Sequence, residues 1–253
     1  MSKLPIALQL YSLRDSCKAD LPATLKSVAE MGYDAVEFAG YFGHGAAELK
    51  TILDDLGLKV AGTHTALDTV SDVNMEETAA FNATLGNPFL IVPGVGAEYK
   101  GTRDGAMRLA EKLAQASKTA AEFGAQVGYH NHDWEFQPFN DNGDFTMELL
   151  AINTPPDVIL QVDTGNVQEG GADPIEFIEK WNRRIVTVHL KPFAQNFENY
   201  YVGEDDSNWP GIFEALEGGK TQFYIIEQER YPEPFTPEEC VARCLKNLKE
   251  MGK

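Results

Sequence analysis

Gly128-Tyr129-His130-Asn131-His132-Asp133-Trp134-Glu135-Phe136 opens in residues suited to a buried strand and closes in imidazoles and carboxylates. Three later stretches repeat the pattern: Gln161-Val162-Asp163-Thr164-Gly165-Asn166, Val186-Thr187-Val188-His189-Leu190-Lys191 and Tyr224-Ile225-Ile226-Glu227-Gln228-Glu229. Each runs from β-branched or aromatic residues into groups that bind divalent metals or move protons. Four successive polar strand ends point to a place where those ends meet.

Outward from these stretches, short apolar runs continue at residues 6–11, 35–39, 60–64, 89–93, 126–130, 158–163, 185–190 and 223–227. Gly or Pro at their borders favours strand over helix. Segments of 3.6-residue periodicity lie between them, at 21–31, 46–56, 76–85, 105–123, 145–152, 174–181, 210–216 and 237–251. Pro174, Pro210 and Pro237 stand near helix starts, where a missing N–H costs little. Gly32, Gly57 and Gly124 follow helices, as C-terminal caps do. Strict alternation of eight strands and eight helices predicts a single (β/α)8 TIM barrel spanning 1–253, an α/β fold in one domain. The rival, a doubly wound open sheet binding a dinucleotide, wants a glycine-rich turn after its first strand. That turn here is Tyr11-Ser12-Leu13-Arg14-Asp15. In a barrel, the polar strand ends converge on the C-terminal face, where chemistry sits.

Composition narrows the function. The 253 residues are 43% hydrophobic and 24% charged, as in a globular chain with a full core. The formal net charge of -18 opposes nucleic acid, which needs a basic footprint, and an anionic membrane surface. Cys17, Cys240 and Cys244 make no disulfide framework; a helical Cys240–Cys244 metal pair is the lesser reading beside buried thiols. No apolar run approaches a membrane span, and Met1-Ser2-Lys3-Leu4-Pro5 leads straight into a strand, so a cytoplasmic setting is expected. Homo-oligomerisation is left open.

Asp163, His189 and Glu227 each end a strand and are expected to point into the barrel mouth. Mixed carboxylate and imidazole ligands suit one divalent ion: Mn, Co, Fe or Zn, with Mg less well matched. Glu135 is the expected fourth ligand, with His130 and His132 as alternatives of inward parity. The structural alternative for each group, a hydrogen-bonded cap on the barrel, weakens when the groups fall on consecutive strands.

This order of motifs resembles the xylose isomerase-like barrels, the sugar phosphate isomerase/epimerase family. Leu8-Gln9-Leu10-Tyr11-Ser12 and Gly32-Tyr33-Asp34-Ala35-Val36-Glu37 look like that family's first two strands. The resemblance covers essentially the whole chain and implies a metal held by Glu, Asp, His and Glu from strands five to eight. The last three fall on Asp163, His189 and Glu227. The first departs, because many relatives have Glu where this chain has His130.

Proton abstraction beside a carbonyl needs a base, and a metal to hold the enediolate oxygen. The resemblance implies Glu135 and Glu227 as bases on opposite faces of the substrate. Lys191 would polarise a carbonyl or hold a hydroxyl, and His64 would serve as donor or acid. Gln9 and Glu37 look like hydroxyl-binding groups, and Arg230 has two readings, a substrate contact or a rim salt bridge. His44 reads as a loop residue. Gly165 and Gly170-Gly171 could cradle a phosphate, but basic residues near the mouth are few, so an unphosphorylated sugar or keto-sugar is favoured; inorganic phosphate should compete weakly at most.

The expected activity is a metal-dependent isomerase or epimerase. The alternative is a lyase or dehydratase acting on a keto-sugar, inosose or 3-keto-glycoside through the same site. An endonuclease of this fold would want more than five histidines and a basic groove. A sugar-binding barrel without metal is the non-catalytic alternative.

Overall fold

Apolar runs bordered by turns become β1 (Ile6–Gln9), β2 (Ala35–Phe38), β3 (Lys59–His64), β4 (Phe89–Val92), β5 (Gln126–His130), β6 (Ile159–Asp163), β7 (Thr187–Leu190) and β8 (Phe223–Ile226). The structure is a computed structural model that describes residues 3–139 and 143–253. All strands pair in parallel in chain order, and β8 pairs back onto β1, which closes the sheet without an edge. The helices are α1 (Arg14–Ala19), α2 (Leu21–Met31), α3 (Ala46–Leu56), α4 (Met75–Leu85), α5 (Arg103–Glu122), α6 (Thr146–Asn153), α7 (Thr164–Glu169), α8 (Pro174–Trp181), α9 (Trp209–Leu216) and α10 (Pro237–Glu250). The fold is therefore the expected (β/α)8 barrel, with α1 and α7 as additions too short to show a helical period.

Local chemistry sets the ends of the helices. In α2, Asp20 accepts from Ala23 N–H at 2.9 Å, a cap worth about 1 kcal/mol. Leu21, Leu25 and Val28 share its buried face, and Gly32 ends it at φ 93. Burying each such side chain contributes about 1.5–3 kcal/mol. Pro237 opens α10 behind a capping box of Thr236 and Glu239, and the helix buries Cys240, Val241, Cys244, Leu245 and Leu248. The three cysteines are free and buried, which for Cys240 and Cys244 on α10 is the expected state. Among the described residues, no helix is long and apolar enough to cross a membrane.

The barrel interior is layered. Its lower part is filled by two small clusters, Ala7, Ala35, Ala61 and Ile225, and Phe89, Ile91, Ile159 and Val186. Two residues beyond Ala7, Ala35, Ile159 and Ile225 the chain turns polar, at Gln9, Glu37, Gln161 and Glu227, and these four are buried together with His189. This polar layer lies at the C-terminal ends of the strands.

Candidate active site

His130, Asp163, His189 and Glu227 each offer one donor atom, and the four atoms lie within 4.8 Å of one another. All four residues are buried. They end β5 and β6, sit within β7, and directly follow β8. Register brings Asp163 opposite His189, and His189 opposite Ile225, two residues before Glu227.

Asp163 is fixed by its own backbone and by the next helix. Its Oδ1 accepts from Asn166 N–H at 2.8 Å and so caps α7, while its backbone N–H donates to Asn131 Oδ1 at 2.9 Å. The other oxygen, Oδ2, is buried without a hydrogen-bond partner among the described residues. A buried unpartnered carboxylate oxygen is costly, and such groups are rare in folded proteins.

His189 is held between two carboxylates. Its Nε2 lies 2.5 Å from Glu37 Oε2 and its Nδ1 lies 2.7 Å from Glu227 Oε2. Glu37 also accepts from Gln9 Nε2 at 2.6 Å and from Gln161 Nε2 at 2.7 Å. Gln161 donates further to Thr187 Oγ1 at 2.9 Å, and its Oε1 faces His64 Nε2 at 2.9 Å and His130 Nδ1 at 3.1 Å. With an oxygen acceptor on its Nδ1 side, His130 carries that proton on Nδ1 and has Nε2 to offer a ligand. Glu37 passes close over β3, where the β2–β3 register shifts; a Cβ on Gly62 would meet its Oε1 at 2.6 Å. Glycine is needed there for room, not for its backbone freedom.

The charges follow from this packing. Burial works against a charged His189, but Glu37 and Glu227 outweigh it and lift its pKa to about 10. Burial raises Asp163 to about 7; Lys191 works against that rise, and Glu227 adds to it. Burial also opposes charge on Glu227, yet Lys191 and His189 hold it well below the ordinary carboxylate range. His130 is kept neutral by burial and by the neighbouring His189 and His64. Lys191 stays an ammonium despite burial, with Asp163, Glu227 and Glu229 around it. Its Nζ pairs with Glu229 and stands 3.9 Å from Asp163 Oδ2.

Two imidazoles and two carboxylates form a donor set that suits a divalent ion of the Mn–Zn series. An ion there would satisfy the orphaned Asp163 Oδ2. It would also take the place of the proton on His189 Nδ1, leaving Nε2–H on Glu37. A ligating imidazole is commonly oriented by a carboxylate in just this way. The residues fit a metal.

Glu135, expected as the fourth ligand and a base, stands outside the four-residue group. Its carboxylate accepts from Tyr129 Oη–H at 2.7 Å and from His132 N–H at 2.8 Å, which ties it to the turn after β5. His130, the alternative at that place, is inside the group. Gln9 and Glu37 are fully buried and bound to one another, so Glu37 orients His189 where a hydroxyl contact was expected. His64 joins the polar layer through Gln161 and lies 3.3 Å from Glu37 Oε2. His132 is half exposed, with its ring edge-on to His130. Arg230 is drawn off to Glu169 at 2.8 Å, the rim salt bridge of the two readings. His44 pairs with Glu48 at the surface. A Cβ on Gly165 would meet Lys191 O at 2.8 Å, and one on Gly170 would meet Asp133 O at 2.5 Å. These glycines permit close packing against carbonyl oxygens, which do not invite a phosphate. Nothing in the sequence marks Asn131, and strand parity with Asp163 is the signal for Gln161.

A family model described as a xylose isomerase-like TIM barrel matches residues 25–251. The chain belongs to that family. Inosose dehydratase from Lacticaseibacillus casei is 25% identical over 279 residues, covering 90% of this chain and 92% of its own. A crystal structure of a sugar phosphate isomerase/epimerase from Parabacteroides distasonis superposes with a TM-score of 0.85 at 27% identity, covering 98% of both chains. An L-ribulose 3-epimerase structure shares the fold at 17% identity and a TM-score of 0.74, covering 98% of this chain and 94% of its own.

Proposed function

We propose that this xylose isomerase-like barrel is a divalent-metal-dependent enzyme that removes a proton beside the carbonyl of an unphosphorylated sugar or keto-sugar. Isomerisation or epimerisation is the outcome assigned. The observation that carries this reading is the buried quartet of His130, Asp163, His189 and Glu227 around an unpartnered Asp163 Oδ2. These four residues would hold the ion, which when bound supplies Lewis acidity toward adjacent sugar oxygens.

The rest of the work falls to the chain's own groups. Glu227, held ionised by Lys191 and His189, is the base for the carbon-bound proton. Lys191, held charged and buried at the strand ends, donates a hydrogen bond to a substrate oxygen. His64, donating through Nε2 to Gln161, keeps Nδ1 for a hydroxyl. Burial of the whole layer excludes water from the carbanionic species. The carbonyl oxygens packed on Gly165 and Gly170 support a substrate without phosphate.

Dehydration is the second reading, favoured by the 25% identity to inosose dehydratase across 90% of the chain. There Lys191 would protonate a departing hydroxyl after the same proton abstraction. Metal-loaded protein incubated with a panel of keto-sugars in D2O tests both readings by NMR. Deuterium should enter the carbon beside the carbonyl, and either a stereoisomer or a dehydrated product should follow. Absence of metal-dependent exchange across the panel would overturn the proposal.

A further inference from the structure

One cavity outside the quartet shares a wall with it. It measures ≈ 470 Å³ and lies between the end of β3 and α4. His64, whose other contacts reach Gln161 and Glu37, forms part of its lining. Tyr41 and Phe81 give it an aromatic side, with ring centroids 4.2 Å apart. Thr65, Thr69, Asn74, Glu77 and Thr78 give it hydroxyl, amide and carboxylate groups. No lysine or arginine is among its lining residues, of those described.

Several of these groups are locked into place. Tyr41 Oη–H donates to Asn82 Oδ1 at 3.0 Å, and Thr78 Oγ1–H donates to Thr69 O at 2.8 Å. The residue after Tyr41 is Phe42, 42% exposed and held at φ 51 between Gly40 and Gly43. A left-handed backbone at a bulky residue costs on the order of 1–2 kcal/mol, and such strain tends to be kept where recognition needs it.

An aromatic face beside fixed hydrogen-bonding groups, with no cation, is the chemistry that recognises a neutral polyhydroxylated ring. Ligand sites begin at about 300 Å³, so this volume can take a whole ring. We infer that the cavity beside His64 is a subsite for a second ring, and that the substrate is a neutral glycoside whose reacting sugar lies over the quartet. This deepens the proposed function and rests on it for the position of the reacting sugar. It is independent of whether the product is an isomer or an elimination product.

The test uses metal-loaded full-length protein and three probes: glucose, cellobiose and p-nitrophenyl β-glucoside. Isothermal titration or saturation-transfer NMR reads their binding. The two-ring probes should bind roughly ten-fold more tightly than glucose, as one added ring face and hydrogen bond imply. Phe81→Ala and, on the exposed surface of α4, Glu77→Ala should each remove most of that advantage. Both should leave glucose binding and metal content unchanged. Glu77→Ala keeps the experiment decisive if Phe81→Ala unfolds. Equal binding of all probes by the wild type, or unchanged two-ring binding by a folded variant, overturns the subsite. Metal-dependent exchange on a keto-monosaccharide together with equal binding would overturn the subsite alone; loss of exchange with the two-ring preference intact would overturn the reaction and keep the subsite.

Discussion

At the scale of single residues, His189 and Glu37 make the most specific pair. Glu37 Oε2 stands 2.5 Å from His189 Nε2, on the far side of the ring from Glu227. Glu37→Gln removes the charge that orients the ring while keeping the size. Metal affinity should fall roughly 10–100-fold, read by competition with a chelating dye. His189, with its pKa lifted to about 10, is protonated in the metal-free protein at neutral pH. The ion must displace that proton, and below about 7 a second one from Asp163. Affinity should therefore rise with pH from 6 to 9, about ten-fold per unit for each displaced proton; a flat profile would contradict these assignments. Glu135 makes a contrasting prediction. Glu135→Ala leaves Tyr129 Oη–H and His132 N–H without their acceptor, at about 1–3 kcal/mol each in urea denaturation, yet metal should still bind.

At the scale of elements, the eight strands are legible in the sequence because parallel strands buried on both faces read as continuous apolar runs. The strand ends are legible too, because Asp163, His189 and Glu227 interrupt such runs at the same point. What sequence does not show is which side of a turn a carboxylate faces. Glu135 follows β5 by five residues, and the turn through His132 points it at Tyr129 instead of the mouth. The β2–β3 register shift is equally hidden, and with it the reason for glycine at 62. Gly62→Ala should push Glu37 aside, costing about 1–3 kcal/mol of stability and weakening metal binding with it. Calorimetric unfolding of the variant and its metal titration would read both effects. The cysteines give an element-level test of packing. Burial pushes Cys17 up to about 12 from an ordinary 9.0, and it raises Cys240 and Cys244 as well. Raised pKa values leave thiols protonated below those values, so at pH 8.5 native Cys17 should be about a thousand-fold poorer in thiolate than the unfolded chain. Iodoacetamide should label it only on denaturation.

At the scale of the whole molecule, the closed barrel gathers residues from 9 to 227 into one polar layer above an apolar floor. That layer places charge where a metal-free protein gains least from it, so an ion bound only by the folded state should stabilise the fold. At an ion concentration of about 100 times Kd the gain is about 2.7 kcal/mol, worth roughly 5–10 °C in Tm for a chain of this size. The central claim is the position of that ion. Anomalous diffraction from crystals grown with Mn²⁺ tests it most directly. The predicted result is one strong peak bounded by His130, Asp163, His189 and Glu227, with Glu135 still hydrogen-bonded to Tyr129. A crystal with no peak at these strand ends, or with Glu135 as a ligand in place of His130, would contradict it.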